Sequence, residues 1–270
     1  MKTGNLEKIA QIVGVPVKTL SAGIILKIRN APHAQLRTSI YKKAVCVAGD
    51  FVYKGPYTDD DPQLMNNLRF TYATQILEEA LHIPEWQRAA LPWEYIGKWD
   101  RDCYYLVAPN IGKTKNIPYD FVTSKIETDV PVVPRGGAVW RVSEAEKNGQ
   151  VTDDIKLSAL QHLYLRYLLD IGDSGTHNIL IRQDSNRTGR LVAGIDLEEQ
   201  RKRAEKNTRL DHLFKKGPSK KQEQLYKPHV GQIIQLHDGQ LDQCIIDQLS
   251  AVGIDLKRLR TNMEIWEALE

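Results

Sequence analysis

Asp173, Asn178 and Asp196 are the residues of this sequence whose types and spacing could do chemistry. Asp173 and Asn178 stand five apart in the polar run Gly172-Asp173-Ser174-Gly175-Thr176-His177-Asn178. Asp196 follows the apolar run Leu191-Val192-Ala193-Gly194-Ile195, with Glu198 and Glu199 just beyond. Carboxylate and amide oxygens are hard donors. Mg²⁺ takes such oxygens and shares its remaining positions with substrate phosphates, so their convergence would serve phosphoryl transfer. Spacing alone does not carry this reading, because Asp61 and Asn66 repeat it elsewhere. The order of the surrounding elements does.

A Thr152-Asp153-Asp154 cluster is a helix N-cap signal, and Leu157, Leu160, Tyr164, Tyr167 and Leu168 form one apolar face behind it. Gly172 ends that helix. A short strand leaves from Asn178 and a return strand climbs to Ile195, so the Asp173 loop sits beside the end that carries Asp196. Upstream, Ala44–Ala48, the turn Gly49-Asp50 and Phe51–Lys54 predict a hairpin with Lys54 late on its second strand. Asp59-Asp60-Asp61-Pro62 starts a helix over 63–82 bearing Glu78 and Glu79 in its last turns, a poor place for acids unless a cation compensates. A second hairpin is expected over 94–109, closing in Leu106-Val107-Ala108-Pro109.

The Gly172–Asn178 loop followed by Ile195-Asp196 resembles the catalytic and metal-binding loops of the protein-kinase-like superfamily. The atypical branches, such as the phosphatidylinositol 3-/4-kinases, are similar in carrying a Gly-Asp loop. The sequence departs in having Leu197-Glu198-Glu199 after Asp196 where the family keeps Phe-Gly. The resemblance implies ATP with Mg²⁺ (Mn²⁺ a substitute) as cofactors and a hydroxyl as phosphoryl acceptor. Asp173 would orient or deprotonate that hydroxyl, and Asn178 and Asp196 would hold the metal. Lys54 would bind nucleotide phosphates, steadied by Glu78 or Glu79. The backbone of Leu106, Val107 and Ala108 would hold the adenine ring at a hinge between lobes. The implied fold is α+β and two-lobed, with a mostly β lobe over 1–109 and a helical lobe over 110–270.

At 270 residues, 41% hydrophobic and 26% charged, the composition is that of a soluble globular protein. Cys46, Cys103 and Cys244 lack metal-ligand spacing and read as reduced thiols of a cytoplasmic protein. No apolar signal region or membrane-spanning run is seen. His162, His212, His229 and His237 show no zinc-ligand spacing, and His177 inside the loop would fill it or contact a phosphate. The net charge of +3 is less telling than its distribution. From Arg201 to Lys227 basic residues crowd together, Lys215, Lys216, Lys220 and Lys221 among them. This predicts a mobile, solvated segment that attracts an anionic acceptor, an inositol-lipid headgroup or an acidic protein segment, with peripheral membrane contact in the first case. Nucleic acid would suit the charge, but only Phe214 and Tyr226 could stack on bases, which does not favour it.

Elsewhere the pattern predicts a short helix over 5–13, then strand through the apolar groups Val15-Pro16-Val17 and Ile24-Ile25-Leu26, loop and short strand over 110–151, and amphipathic helices over 240–251 and 255–269. Two competing readings stand beside the phosphotransferase. One is a catalytically weak kinase-like scaffold, motivated by the Gly-poor run Asn30-Ala31-Pro32-His33-Ala34-Gln35 where a phosphate loop would lie. The other is a metal nuclease using Asp173, Asp196, Glu198 and Lys54, which the helix-loop-hairpin order argues against.

Overall fold

Alternating apolar and polar residues between Gly and Asp turns build a five-stranded sheet from the first part of the chain. The structure, a computed structural model, describes residues 5–30, 44–112, 140–182, 185–199, 201, 206–214, 216–235 and 241–269. After helix α1 (Asn5–Ile12), strand β1 (Val17–Thr19) forms one edge. The expected hairpin is β2 (Ala44–Ala48) and β3 (Phe51–Tyr57), paired from Ala44 with Gly55 to Ala48 with Phe51. The second is β4 (Tyr95–Asp100) and β5 (Cys103–Pro109), and the sheet order is β1-β4-β5-β3-β2. The candidate phosphate loop from Ala31 to Gln35 lies outside the described residues.

One early expectation is overturned. Ile24-Ile25-Leu26 is not strand but part of helix α2 (Ala22–Asn30). Ser21 starts it by accepting from the Ile24 N–H, and Ile25 and Ile28, three apart, are buried against Leu20, Cys46 and Tyr53. The apolar triplet hid a helical period by leaving Leu26, at 60% exposure, in solvent.

Asp61 caps helix α3 (Pro62–Ala80) by accepting from the Gln63 N–H, with Pro62 in its first turn. This helix joins two apolar clusters. Leu64, Met65 and Leu68 pack with Ile96 and Leu106 of the sheet, whereas Ala73, Ile76 and Leu77 belong to the core around helix α5 (Asp153–Leu168). Thr152 caps α5 through its hydroxyl, and every residue from Ser158 to Leu168 is buried. From Ser158 on, α5 is therefore enclosed on all sides and not along the single apolar face expected. Within the stretch read as loop and short strand, Val142–Asn148 is a short helix, α4, ended by Gly149 at φ 71°. Seven residues are too few to show a period. Residues 113–139 of that stretch lie outside the described part.

A second sheet, β6 (Trp140–Arg141), β7 (Ile179–Ile181) and β8 (Val192–Gly194), carries the acidic loops, with the turn of helix α6 (Ser185–Thr188) between β7 and β8. The basic segment is not a bare loop. It contains helices α7 (Arg209–Leu213) and α8 (Lys220–Tyr226), and Leu210, Leu213, Phe214 and Tyr226 are buried in the helical core. Four apolar anchors among so many charges were enough to dock it. A short helix α9 (Val230–Ile234) follows, and the two tail helices are α10 (Gln243–Ala251) and α11 (Leu256–Ala268). Trp266 of α11 packs its ring 4.8 Å from Tyr164 of α5. Among the described residues no helix is long and apolar enough to cross a membrane.

The contact of β8 with α5 leaves no room for a side chain at Gly194. A Cβ there would come within 1.9 Å of the His162 imidazole. Gly194→Ala should therefore lower stability by about 1–3 kcal/mol, read from denaturant midpoints, since the ring and the strand are both enclosed. His162 itself is 1% exposed, and neither ring nitrogen has a hydrogen-bond partner among the described residues. Burial, and then the Arg166 charge, pushes it down to about 3. The unfolded chain thus takes the proton first. Its contribution to stability is intact above about pH 6.5 and is lost toward pH 3, by about 1.4 kcal/mol per pH unit. His162→Gln should flatten that part of the stability–pH curve.

Candidate functional site

Two loops meet at the C-terminal end of α5, and a guanidinium ties them. Arg166 is fully buried. It donates to the carbonyl of Gly172 at 3.1 Å, of Ile195 at 2.9 Å and of Asp196 at 2.9 Å. Burial lowers its pKa to about 10, while Asp196, Asp173 and Glu199 act to raise it, so it stays charged at neutral pH. The Gly172 N–H donates to Glu199 and the Ile195 N–H to Asn178, closing the two loops against each other. Asp173 (φ 49°) and Asp196 (φ 57°) both adopt left-handed backbone. Such conformations cost about 1–3 kcal/mol unless the surroundings fix them, and they concentrate at functional sites. The clip supplied by Arg166 is such a surrounding.

Within the first loop Asn178 is 2% exposed. Its amide Nδ2 donates to the Asp173 carbonyl and to Asp173 Oδ2, each at 3.0 Å. That orients the Asn178 Oδ1 the other way, as an acceptor with no hydrogen bond among the described residues. His177 Nε2 stands 3.4 Å from the same Asp173 oxygen, and the Arg141 guanidinium holds the His177 carbonyl at 2.8 Å. The Asp173 side chain remains 32% exposed.

The second loop meets the five-stranded sheet. Lys54, 8% exposed, donates to Asp196 Oδ1 at 2.6 Å and to Glu198 Oε2 at 2.7 Å. Burial works against its charge, but Asp196, then Tyr57 and Glu198, raise its pKa well above the usual lysine value. Burial likewise opposes the Asp196 charge, and Lys54, with Arg166 and Arg141 behind it, brings that carboxyl below its usual range. Glu198 Oε2 also accepts from the Asn67 amide at 2.8 Å, and its backbone carbonyl from the Asn66 amide at 3.0 Å.

Asp173 is thus brought against Asn178, Lys54 against Asp196, and the two pairs are joined through Arg166. Glu78 and Glu79 are not part of this. Glu78 is buried and accepts the N–H groups of Ala89 (2.6 Å) and Ala90 (2.9 Å), which pins the segment following α3. Burial raises its carboxyl to about 7, against the lowering by those two N–H groups. Glu79 is 70% exposed and 3.7 Å from Arg88. The expectation that either would steady Lys54 fails because both lie too far along α3: Asn67, which reaches the cluster, is 78 − 67 = 11 residues from Glu78, roughly 16 Å of helix. The hinge expectation fails too at Leu106, Val107 and Ala108. These are buried in β5, which lies between β4 and β3, and their backbone groups face those strands in the ladder.

Of the basic residues, Lys215 lies outside the described part. Lys216 and Lys220 are exposed, and Lys221 donates to the Lys147 carbonyl at 3.0 Å. A Ser219–Gln222 capping box starts α8. Gln222 then reaches Glu146 at 3.0 Å and Thr176 of the Asp173 loop at 3.5 Å, while the Tyr226 hydroxyl donates to Glu146 at 2.6 Å. Lys220 and Lys221 thus open a helix whose Gln222 touches the Asp173 loop.

Arg166, Asn66 and Asn67 escaped the sequence reading. A signal was there: Arg166 interrupts Leu163-Tyr164-Leu165 and Tyr167-Leu168-Leu169, and two adjacent asparagines inside a helix are costly unless they bond to something. Among the described residues no group of three or more His, Cys, Asp or Glu side chains is placed to hold a metal. Asn178 Oδ1 and the second oxygen of Asp196 are two hard donors. That set suits Mg²⁺, which keeps positions for waters and phosphates, and not a closed structural site. Compared with known proteins, the chain matches no family model, no curated protein and no solved structure.

Proposed function

We propose that the chain is an ATP- and Mg²⁺-dependent phosphotransferase with a hydroxyl acceptor, built as a kinase-like pair of lobes over 1–109 and 110–270. The observation that carries this reading is the 2.6 Å contact of Lys54 with Asp196. It joins a buried ammonium of the first sheet to a left-handed aspartate beside the Asp173–Asn178 loop. An ammonium, two hard-oxygen donors and a partly exposed carboxylate are the parts phosphoryl transfer requires, since its catalysis is positioning and charge neutralisation. Asp173, oriented by Asn178 and partly exposed, would accept the proton of the attacking hydroxyl. Lys54 would neutralise nucleotide phosphate. Asn178 and Asp196 would hold Mg²⁺, which when bound offsets the charge developing on the phosphate oxygens.

Titration with ATP in the presence and absence of Mg²⁺ tests this directly. Mg²⁺-dependent binding with phosphate turnover supports it. Binding without turnover would make the chain a catalytically weak, kinase-like binding protein, and no binding would remove the reading.

The acceptor is proposed to be anionic, an inositol-lipid headgroup or an acidic protein segment, because Lys216 and Lys220 are exposed beside a helix anchored to Thr176. Lys216→Ala with Lys220→Ala should raise the KM for such an acceptor several-fold. The effect should fade as salt shortens the screening length from ~8 Å at physiological ionic strength. An acceptor KM that ignores both the substitutions and salt would leave these lysines as a solvated surface.

A further inference from the structure

We infer that Glu198 is the positioning residue for Lys54, and that α3 acts on it through the neutral amide of Asn67 and not through a carboxylate of its own. The inference rests on the phosphotransferase reading and names how its lysine is held. Asp196, Leu197 and Glu198 are consecutive, and Leu197 is 2% exposed. The carboxylates on either side of this buried leucine both turn to Lys54. They reach it at 2.6 and 2.7 Å.

The second carboxylate matters because the first has other work. A largely buried ammonium with one carboxylate partner competes with a metal for it, since low-dielectric surroundings strengthen the pair. Asp196 alone would then have to balance both cations. With Glu198 in place Lys54 keeps a counter-charge when Asp196 turns to the metal.

Glu198 is itself held. The Asn67 amide, in a side chain 1% exposed, donates both to Glu198 Oε2 at 2.8 Å and to the Gln63 carbonyl at 3.0 Å, and Asn66 holds the Glu198 backbone. A neutral residue is required at position 67. A carboxylate there would be a third acid around one ammonium.

The test uses Glu198→Gln alone and together with Asn67→Asp, which moves the charge from the loop to the helix. Two readouts are taken on the full chain. The first is the Mg²⁺ concentration that half-saturates ATP binding. The second, without nucleotide, is labelling of Lys54 by an amine-acylating reagent, quantified by mass spectrometry against the other lysines. Glu198→Gln should raise the Mg²⁺ requirement about tenfold and increase Lys54 labelling several-fold, with the melting temperature nearly unchanged. The double variant should recover much of both. Equal Lys54 labelling in wild type and Glu198→Gln overturns the inference, as does failure of the double variant to recover while it remains folded. If wild type binds no ATP, the phosphotransferase reading falls, and the labelling still decides whether Glu198 positions Lys54.

Discussion

Asp173→Asn should lower phosphoryl transfer by about 10²–10⁴-fold while ATP binding and stability stay near wild type. The rate loss is the usual worth of a positioned general base. Folding should be spared for two reasons. The left-handed conformation at φ 49° suits asparagine as well as aspartate. The hydrogen bond from Asn178 Nδ2, 3.0 Å long, can end on an amide oxygen as it does on the carboxylate. Single-turnover transfer beside equilibrium nucleotide binding separates the two effects. Transfer within a few-fold of wild type would take Asp173 out of the chemistry.

Lys54→Met should both abolish nucleotide binding and destabilise the fold. A lysine read from sequence as a phosphate contact near a strand end would be removed at little structural cost. The structure reverses that expectation, because Lys54 stands between Asp196 and Glu198 with 8% of its surface exposed. Without it two carboxylates face each other in a confined space. Breaking a buried pair costs about 3–5 kcal/mol, and the lower end applies because the Asp196 and Glu198 side chains keep 28% and 19% exposure. The deficit should shrink as pH falls, since a carboxyl deprived of Lys54 takes up a proton at higher pH in the folded state than in the unfolded chain. Chemical unfolding of Lys54→Met between pH 4 and 8 measures it. A deficit independent of pH would mean lost packing and not exposed charge.

The sequence by itself determined the elements and the acidic loops. The Thr152 cap, the Asp61-Pro62 start and the two hairpins are local events: a side-chain oxygen near a free N–H, a ring that presets φ, glycine and aspartate in turns. Such signals act within a few residues, so one chain read in order shows them. The loop carrying Asp173 and Asn178, and Asp196 at the end of the return strand, were legible for the same reason. Where a period was too short or too crowded the reading failed, as at α2 and α4.

Only the tertiary structure decided who partners whom. Lys54 lies 142 residues from Asp196 and 144 from Glu198, and nothing local distinguishes Glu198 from Glu78 or Glu79 as its counter-charge. The choice follows from where α3 comes to rest, because its packing between two apolar clusters brings Asn66 and Asn67 to the site and carries Glu78 away to the Ala89 and Ala90 N–H groups. The same holds for Arg166. Its three carbonyl partners belong to two loops that meet only when β8 packs on α5. An ion pair or a guanidinium clip is short-ranged in space and indifferent to distance along the chain. Its partners are therefore chosen by packing, which no local pattern of residue types records.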